Sequence, residues 1–537
     1  MTPRVHRNQK KHLAIFSSRN LLRAAVVLVA ALSLTPVLYL VVRASEAAPQ
    51  FLTLLTRPRT IQVFINSILL TGLVTITATI LGSALAWLTM RTDLHGKRIW
   101  SAITCLPLVL PSYVGAFALL AALGPNGMLQ GLLAPFGITR LPSMYGLSGA
   151  WLALTLFTYP YVQLSIRAGL RGLDPALEDA ARCLGRTRMQ VFRQIVLPHL
   201  RPAIGAGALL VALYTLSDFG AVSLLQYNVF TREIYILYSA TLDRSAAAIL
   251  ALKLVVLTGM IILVESWTRS HRPHYRAGTG TARQHRPIPL GKWQWPAQIL
   301  CTLVALLGLG VPILVTMFWW VRGLHASSVI GAQFRILMNS ISASALAAAT
   351  CILAGLPVVM QSVRYPGKVS RFAERAAYAG HALPGIVVAL ALVFLGSRYL
   401  PLLYQSLTML VLAYTILFLP LALGALRTAM LKLNPRTEEA ARMLGRSPAN
   451  VLFHITLPQL RPGMLTGMAL VFLTCMKELP ATLLLGPTGF ETLATRIWSA
   501  TEEAFFAMAA APALILMLTA AISLWILLHH EQDQLTT

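Results

Sequence analysis

Charged residues are scarce in this chain. Asp, Glu, Lys and Arg make up 12% of its 537 residues, whereas hydrophobic residues make up 56% and the mean hydropathy is +0.68. Soluble globular domains carry about 25% charged residues. The composition therefore excludes a chain that is mostly in contact with water, and it indicates a protein with many membrane spans.

Acidic residues are fewer still, since 18 Asp and Glu stand against 44 Lys and Arg, for a formal charge of +26. In membrane proteins Lys and Arg concentrate in cytoplasmic loops, so their placement reports orientation before it reports nucleic-acid binding. Basic residues collect in the N-terminal tail, at 91–98, at 269–286 and in two repeated loops, whereas an outside loop carries Glu491, Glu502 and Glu503. We therefore predict cytoplasmic termini, a multi-pass protein of the bacterial inner membrane, and no nucleic-acid partner.

Three further absences limit the chemistry. The five cysteines have no paired spacing, and no His, Cys, Asp or Glu group has the spacing of a metal site. The phosphate-binding pattern G-x-x-x-x-G-K-[ST] does not occur, so this chain has no such route to ATP. We predict a protein that is not an enzyme, with no firm metal site and no cofactor of its own, so that any ATP and Mg²⁺ belong to a partner.

Apolar windows of about 20 residues, the length that crosses the hydrocarbon core as a helix, predict about 12 transmembrane helices. The fold class is therefore an all-α polytopic membrane protein. The windows lie near 22–43, 65–90, 102–123, 148–168, 203–225, 246–265, 295–319, 337–361, 377–396, 401–425, 463–485 and 505–529.

The chain contains an internal duplication. The segment LDPALEDAARCLGRTRMQVFRQIVLPHLRP at 173–202 returns as LNPRTEEAARMLGRSPANVLFHITLPQLRP at 433–462, displaced by 260 residues without a gap, and NSI at 66–68 returns at 339–341, displaced by 273. We divide the chain into a six-span unit at 1–265, a cytoplasmic linker at 266–292 and a second six-span unit at 293–537. Two units of the same direction are related by an axis along the membrane normal, which predicts a transport pathway between them.

Each repeated loop has the pattern of two short helices joined by a glycine. Asp174 and Asn434 are good N-cap residues and are followed by proline, which marks a helix start. Gly185 and Gly445 end this helix, because glycine enters the left-handed conformation without strain. A second short helix then leads into the next span.

At this point EDAARCLGR and EEAARMLGR resemble the EAA loop of binding-protein-dependent ABC importer permeases of type I. In that family the loop inserts into a groove of the ATPase subunit. The resemblance implies two copies of an ABC ATPase on the cytoplasmic side, a substrate-binding protein outside, contact with membrane lipid, and no second permease subunit. It also implies that ATP hydrolysis is coupled to the spans through Glu178, Asp179, Ala180, Ala181, Leu184, Gly185, Glu438, Glu439, Ala440, Ala441, Leu444 and Gly445.

Ionisable residues deep in a span are functional candidates. Asp218 and Glu478, again displaced by 260, and the adjacent Lys477 are candidates for the substrate pathway, with a structural hydrogen-bonded role as the alternative. The segments KELPATLLLGPTGFETLATRIWSAT and SDFGAVSLL resemble fused two-domain permeases for ferric iron, a hard cation that suits oxygen ligands. The resemblance implies ferric iron as cargo, although similar fused permeases move thiamine and unfused relatives move sulfate, molybdate or polyamines.

Other function classes account for less of the sequence. Twelve spans in two parallel halves also describe gradient-driven secondary transporters, but their loop is only loosely matched by MRTDLHGKR at 90–98, and the repeated loop is then unexplained. An integral membrane enzyme would need clustered His, Asp or Glu within its spans. For the loops themselves, the alternatives are a DNA-binding helix-turn-helix or a capped surface hairpin.

Overall fold

The computed structural model describes residues 3–46, 56–125, 127–137, 141–240, 244–268, 287–323, 330–381 and 383–536. In these ranges the regular structure is helical, and β structure is limited to one isolated bridge between Thr92 and Ile288. The predicted all-α class is confirmed. Residues 269–286, most of the predicted linker 266–292, lie outside the described residues.

The first half of the chain alternates long apolar helices with short ones. Its long helices are Pro3–Glu46, Pro58–Arg91, Leu147–Gly172, Leu197–Ser217 and Arg244–Thr268. Its shorter helices are Lys97–Ile103, Ser112–Leu123, Met128–Leu133, Pro175–Cys183, Arg188–Val191, Gly220–Leu224 and Phe230–Ser239, with 3-10 turns at Leu106–Val109 and Ala134–Phe136 and a π turn at Phe192–Val196.

The second half repeats this order. Its long helices are Gln294–Ala305, which continues through a π turn at Leu306–Gly310 into Val311–Gly323, and then Ile330–Arg364, Leu407–Lys432, Leu457–Met476 and Phe506–Thr536. Its shorter elements are Gly291–Trp293, Lys368–His381, Gly385–Tyr399, Pro435–Met443, Pro448–Val451, Pro480–Leu485 and Leu493–Glu502, with a π turn at Leu452–Thr456.

Among the described residues, eight helices are long and apolar enough to cross a membrane, and a bent pair makes up to nine. The bent pair is Lys368–Gly380 with Gly385–Tyr399. The other predicted spans coincide with the helices Leu147–Gly172, Leu457–Met476 and Phe506–Thr536. Each of the twelve predicted places is therefore helical.

Prolines interrupt two of the predicted spans. The predicted span 102–123 becomes a short helix, a 3-10 turn and a second helix, because Pro107 and Pro111 supply no N–H donor to a continuous helix. Pro384 lies at the equivalent place in the second half, where the bent pair turns by 102°.

The predicted span 203–225 is too long. Its helix ends at Ser217, because Asp218 adopts an extended conformation and precedes the separate short helix Gly220–Leu224. The sequence predicted that Asp218 lies within a span. The structure instead places its carboxylate at a break between two helices.

One compact unit comprises Pro49–Ser327 with Ile497–Met517, and we call it the N-half unit. Within it, Pro58–Arg91 packs against Leu147–Gly172, and Leu197–Ser217 contacts both helices. Tyr159 is fully buried at this junction.

The last part of the predicted linker is attached to the end of the helix Pro58–Arg91. The N–H of Ile288 donates to the carbonyl of Arg91 at 2.8 Å, and the N–H of Asp93 donates to the carbonyl of Ile288 at 3.2 Å. Asp93 Oδ1 also accepts from the N–H of Leu290 at 2.9 Å. These bonds fix the backbone at Arg91, which contributes to the site described below.

The second compact unit, the C-half unit, comprises Met1–Ala48, Ser328–Arg496 and Leu518–Thr537. Ile330–Arg364 packs against Leu407–Lys432 and Leu457–Met476. The N-terminal helix belongs to this unit, where Val26 and Ala30 pack against Ala373 and Ala376. The repeat boundaries at 265 and 293 stay a prediction, because compactness and duplication divide a chain by different criteria.

Candidate functional site

The first repeated loop, residues 173–202, consists of two short helices joined by a glycine turn, as predicted. The Asp174 side chain accepts a hydrogen bond from the N–H of Ala176 at 3.0 Å and caps the helix Pro175–Cys183. Gly185 has φ +80°, the left-handed conformation that ends this helix. Thr187 and Gln190 then form both bonds of a capping box.

The second repeated loop, residues 433–462, is built in the same way. Asn434 caps the helix Pro435–Met443 by accepting from the N–H of Arg436 at 3.1 Å. Gly445 has φ +84°, and Ser447 caps the next helix by accepting from the N–H of Asn450 at 3.3 Å. The predicted caps and glycine turns are thus confirmed in both loops.

A π turn lies at the same place in each repeat, at Phe192–Val196 and Leu452–Thr456. Each joins the second loop helix directly to the next long helix, which begins at Leu197 or Leu457. π turns inside α-helices are rare and are frequently found at functional positions. The loops are therefore continuous with the helices that follow them.

In the N-half unit the loop is attached to a neighbouring helix by a buried ion pair. Glu178 and Arg91, the last residue of Pro58–Arg91, are hydrogen-bonded through Oε1 and Nη2, and both residues are less than one-tenth exposed. The Glu178 Oε2 atom is 3.9 Å from Arg182 of its own helix. The Arg91 guanidinium also lies 5.7 Å from the ring centroid of Trp87, and the Trp87 ring packs edge-on against Phe192.

The C-half unit contains the same ion pair. Arg364, the last residue of Ile330–Arg364, donates to Glu438 Oε1 at 3.2 Å. Thr456 Oγ1 donates to the same oxygen at 3.1 Å, and Arg442 lies 3.7 Å from Glu438 Oε2. Since 364 − 91 is 273 and 438 − 178 is 260, the two pairs occupy equivalent positions of the duplication.

The predicted coupling residues divide into buried and exposed groups. Glu178, Glu438 and Ala441 are buried and Ala181 is half-buried, so these residues hold the loops. Leu184 and Leu444 are 83% and 85% exposed. These apolar side chains are therefore available for contact with a partner at the tip of each loop. The exposed group is Asp179, Ala180, Leu184, Gly185, Glu439, Ala440, Leu444 and Gly445.

Asp218, the first pathway candidate, has a structural role. Its Oδ2 accepts from the hydroxyl of Ser112, and its Oδ1 accepts from the N–H groups of Ala221 at 3.0 Å and Val222 at 3.3 Å. Three donors of its own chain thus engage the carboxylate, which accepts from two N–H groups at the start of the helix Gly220–Leu224. These contacts favour the structural alternative, and a place for Asp218 in the substrate pathway stays a prediction.

The side chain of Glu478, the second pathway candidate, is more exposed than that of Asp218. Its Oε1 accepts from the N–H of Ala481 at 3.3 Å, and the residue is half-buried where Asp218 is buried. Lys477 ends the helix Leu457–Met476 and is also half-buried. Among the described residues no group of three or more His, Cys, Asp or Glu is placed to hold a metal ion.

The sequence interpretation missed Arg91 and Arg364. Both lie far from the loops along the chain, with a sequence separation of 87 between Arg91 and Glu178. One signal was available, because their displacement of 273 equals that of the NSI tripeptides at the other end of the same helices.

Two repeated loops, each held by an internal ion pair and exposing an apolar tip, in a chain with eight or nine candidate membrane spans among its described residues, are the features of a membrane transport subunit. The sequence matches the family described as binding-protein-dependent transport system inner membrane component, over residues 78–276 and 352–534. The chain belongs to this family. Its homologues are transport subunits rather than enzymes.

Individual relatives cover the chain to different extents. The Fe(3+)-transport system permease protein FbpB 2 of Haemophilus influenzae is 33% identical over 497 residues, covering 92% of this chain and 94% of that protein. The putative ferric transport system permease protein FbpB 1 of the same organism is 24% identical, covering 82% and 72%. The molybdenum transport system permease protein ModB of Escherichia coli is 35% identical over 193 residues, covering 35% of this chain and 83% of that protein.

Proposed function

We propose that this chain is the membrane-spanning permease of an ATP-driven importer and that it moves ferric iron into the cytoplasm. The observation that carries the proposal is the duplicated loop, because each copy keeps its helix caps, its left-handed glycine, its buried ion pair and its exposed apolar tip. Two equivalent docking loops on one chain require two ATPase copies and no second permease subunit.

The relatives support the choice of cargo. Both FbpB proteins of Haemophilus influenzae align along most of the chain and carry ferric transport in their names, whereas the molybdenum permease aligns with 35% of the chain. Glu478 offers the carboxylate oxygen that a hard cation such as Fe³⁺ prefers. Molybdate is the second candidate, because the identity over the aligned 193 residues is 35%.

The orientation of the chain and its partners follow from this proposed role. The loops and both termini face the cytoplasm of a bacterium, in agreement with the Lys and Arg distribution. A substrate-binding protein delivers the cargo from outside, and ATP with Mg²⁺ binds to the partner ATPase. This chain then contributes the pathway and the coupling, with no cofactor of its own.

Reconstitution tests the proposal. The full chain is purified with its ATPase, placed in liposomes with the binding protein on the side opposite the loops, and supplied with radioactive ferric iron and ATP. We expect uptake that needs the binding protein and stops with vanadate. Uptake of molybdate in place of iron would reassign the cargo, and uptake driven by a proton gradient without the ATPase would overturn the importer assignment.

A further inference from the structure

Each coupling-loop helix is attached to the protein mainly through one carboxylate. Glu178 is the buried residue of Pro175–Cys183, and in Pro435–Met443 only Ala441 joins Glu438 in the interior. Most surface helices are held by an apolar stripe that faces the core. A helix held by a hydrogen-bonded charge has one defined position.

Both repeats keep this attachment although its surroundings differ. Beside Arg91 the N-half unit has Trp87 and Phe192, where the sequence of the second repeat has Met360 and Leu452. Conversely, Thr456 donates to Glu438, whereas its equivalent Val196 has no such donor. The arginine and the glutamate are the parts common to both sites.

The burial of Glu178 argues against direct contact with the ATPase. The residue is 8% exposed, and its two oxygens face Arg91 and Arg182 of the same chain. Removing one partner of a buried ion pair is strongly destabilising, because the other charge stays buried without compensation. A partner that competed for Glu178 would first have to break this pair.

We propose that Arg91 and Arg364 are positioning residues that lock each coupling loop to the end of a long helix. When the ATPase subunits move the loops, the ion pairs carry that displacement directly into Pro58–Arg91 and Ile330–Arg364. The coupling path therefore includes two helices that do not adjoin the loops along the chain. This assignment rests on the importer function proposed above.

A label on the first loop reports the lock without any need for cargo. Cys183 is the exposed cysteine among the five of this chain, so a nitroxide spin label attached there follows the motion of Pro175–Cys183. In the full chain without ATPase we expect Arg91→Gln to shift the spin label to a mobile spectrum. The ratio of docked to undocked loop should fall on the order of 100-fold, since one buried charge loses its partner.

The chain offers a matched control and a mirror experiment. Arg59 forms a two-point ion pair with Glu233 at 2.6 and 3.1 Å at the opposite end of the same helix, so Arg59→Gln should leave the label immobile. For the second loop, Met443 is equivalent to Cys183 and is 88% exposed. A label at M443C in a C183S background should become mobile on Arg364→Gln.

Exchange of the charges separates a specific pair from general damage. Arg91→Glu and Glu178→Arg should each free the label and abolish cargo-stimulated ATP hydrolysis, while the double exchange restores an immobile label and most of the coupling. In each of these variants, the amount of ATPase that co-purifies should change less than the number of ATP molecules hydrolysed per cargo moved. Misfolding would instead lower ATPase binding and coupling together.

Two results would overturn the assignment. One is an immobile label in Arg91→Gln together with normal coupling; the other is loss of ATPase binding in Glu178→Gln but not in Arg91→Gln, which would place Glu178 in the docking surface. Absence of any co-purifying ATPase would instead contradict the importer function. The spin-label measurement on the isolated chain would still decide the role of the pair.

Discussion

Gly385 leaves the space that the Glu478 carboxylate occupies, since a Cβ at residue 385 would lie 2.5 Å from Glu478 Oε1. At the equivalent place in the first repeat, Ser112 donates to Asp218. The residue pairs are displaced by 273 and 260, as elsewhere in the duplication. A larger first residue thus accompanies the shorter carboxylate, and glycine accompanies the longer one.

This relationship predicts a compensating double substitution. Gly385→Ser alone should destabilise the protein by about 1 kcal/mol, because the Glu478 carboxylate has to move away from the added Cβ. Gly385→Ser with Glu478→Asp recreates the arrangement of the first repeat and should recover most of that loss. The measurement is the thermal unfolding midpoint of the purified chain in detergent, for the two single variants and the double variant. Strictly additive single effects would show that the two positions are not coupled.

Local chemistry explains what the sequence could predict. The caps at Asp174 and Asn434 and the turns at Gly185 and Gly445 depend on residues within a few positions of one another, so their patterns specify the loop directly. The apolar windows likewise predict where helices lie, because the length of a span is set by the bilayer.

Long-range pairing explains what the sequence could not predict. The partners of Glu178 and Glu438 follow from how helices pack, and nothing within the loops indicates Arg91 or Arg364. Asp218 looked like a charge inside a span because its neighbours are apolar. The helix ends at Ser217, and the Asp218 carboxylate accepts from the N–H of Ala221 in the next helix. The apolar pattern around residue 218 does not indicate this break.

The glycine turns give a second prediction. Among the described residues no atom lies within 4 Å of a Cβ added at Gly185 or Gly445, so within this part of the chain an alanine there is opposed by its positive φ. Gly185→Ala and Gly445→Ala should each weaken the turn by about 1–2 kcal/mol. ATP-dependent uptake by the double variant should fall several-fold, while the amount of chain inserted in the membrane stays constant.

Glycines inside helices provide the control for this experiment. Gly205 and Gly424 also have open space around an added Cβ, but they lie in helices, where alanine is favoured by about 1 kcal/mol. Gly205→Ala with Gly424→Ala should therefore leave uptake unchanged. Equal losses in both double variants would mean that the backbone conformation of the turns is not the cause.

The exposed loop tips give a third prediction. Leu184→Ser and Leu444→Ser remove apolar surface that is already in water, so the unfolding temperature of the isolated chain should not change. If the ATPase covers these side chains, each substitution should weaken its binding by about 1.5–3 kcal/mol. The test is the Kd of the ATPase for the chain in nanodiscs.

Leu402 is the matched control for the tips. It is 96% exposed and lies before the helix Leu407–Lys432, at the end opposite the second loop. Leu402→Ser should leave ATPase binding intact. A larger Kd for Leu402→Ser than for Leu444→Ser would show that the ATPase docks at the end of the helix Leu407–Lys432 that is opposite the second loop.

The two carboxylates near the helix breaks give a fourth prediction, because their own-chain contacts differ. Three donors of the chain engage Asp218, whereas one backbone N–H, that of Ala481, donates to Glu478 Oε1. If Glu478 contacts a ferric cargo, Glu478→Gln should lower uptake about 10-fold or more, because a hydrogen bond or ligand contact to a charged group is worth about 1.5–3 kcal/mol. Asp218→Asn keeps an acceptor for the N–H groups of the short helix and should change uptake little.

Effects on stability should follow the reverse order, with the larger loss at residue 218 and the smaller one at residue 478. Asp218→Ala removes the acceptor of the Ala221 and Val222 N–H groups at the start of Gly220–Leu224 and should cost about 0.5–2 kcal/mol of stability, whereas Glu478→Gln preserves shape and should not lower the unfolding temperature. Uptake in proteoliposomes and thermal unfolding are measured on the same preparations, with ATPase co-purification as the check on assembly. Normal iron uptake by Glu478→Gln would remove this residue from the pathway and leave it, like Asp218, a cap at a helix break.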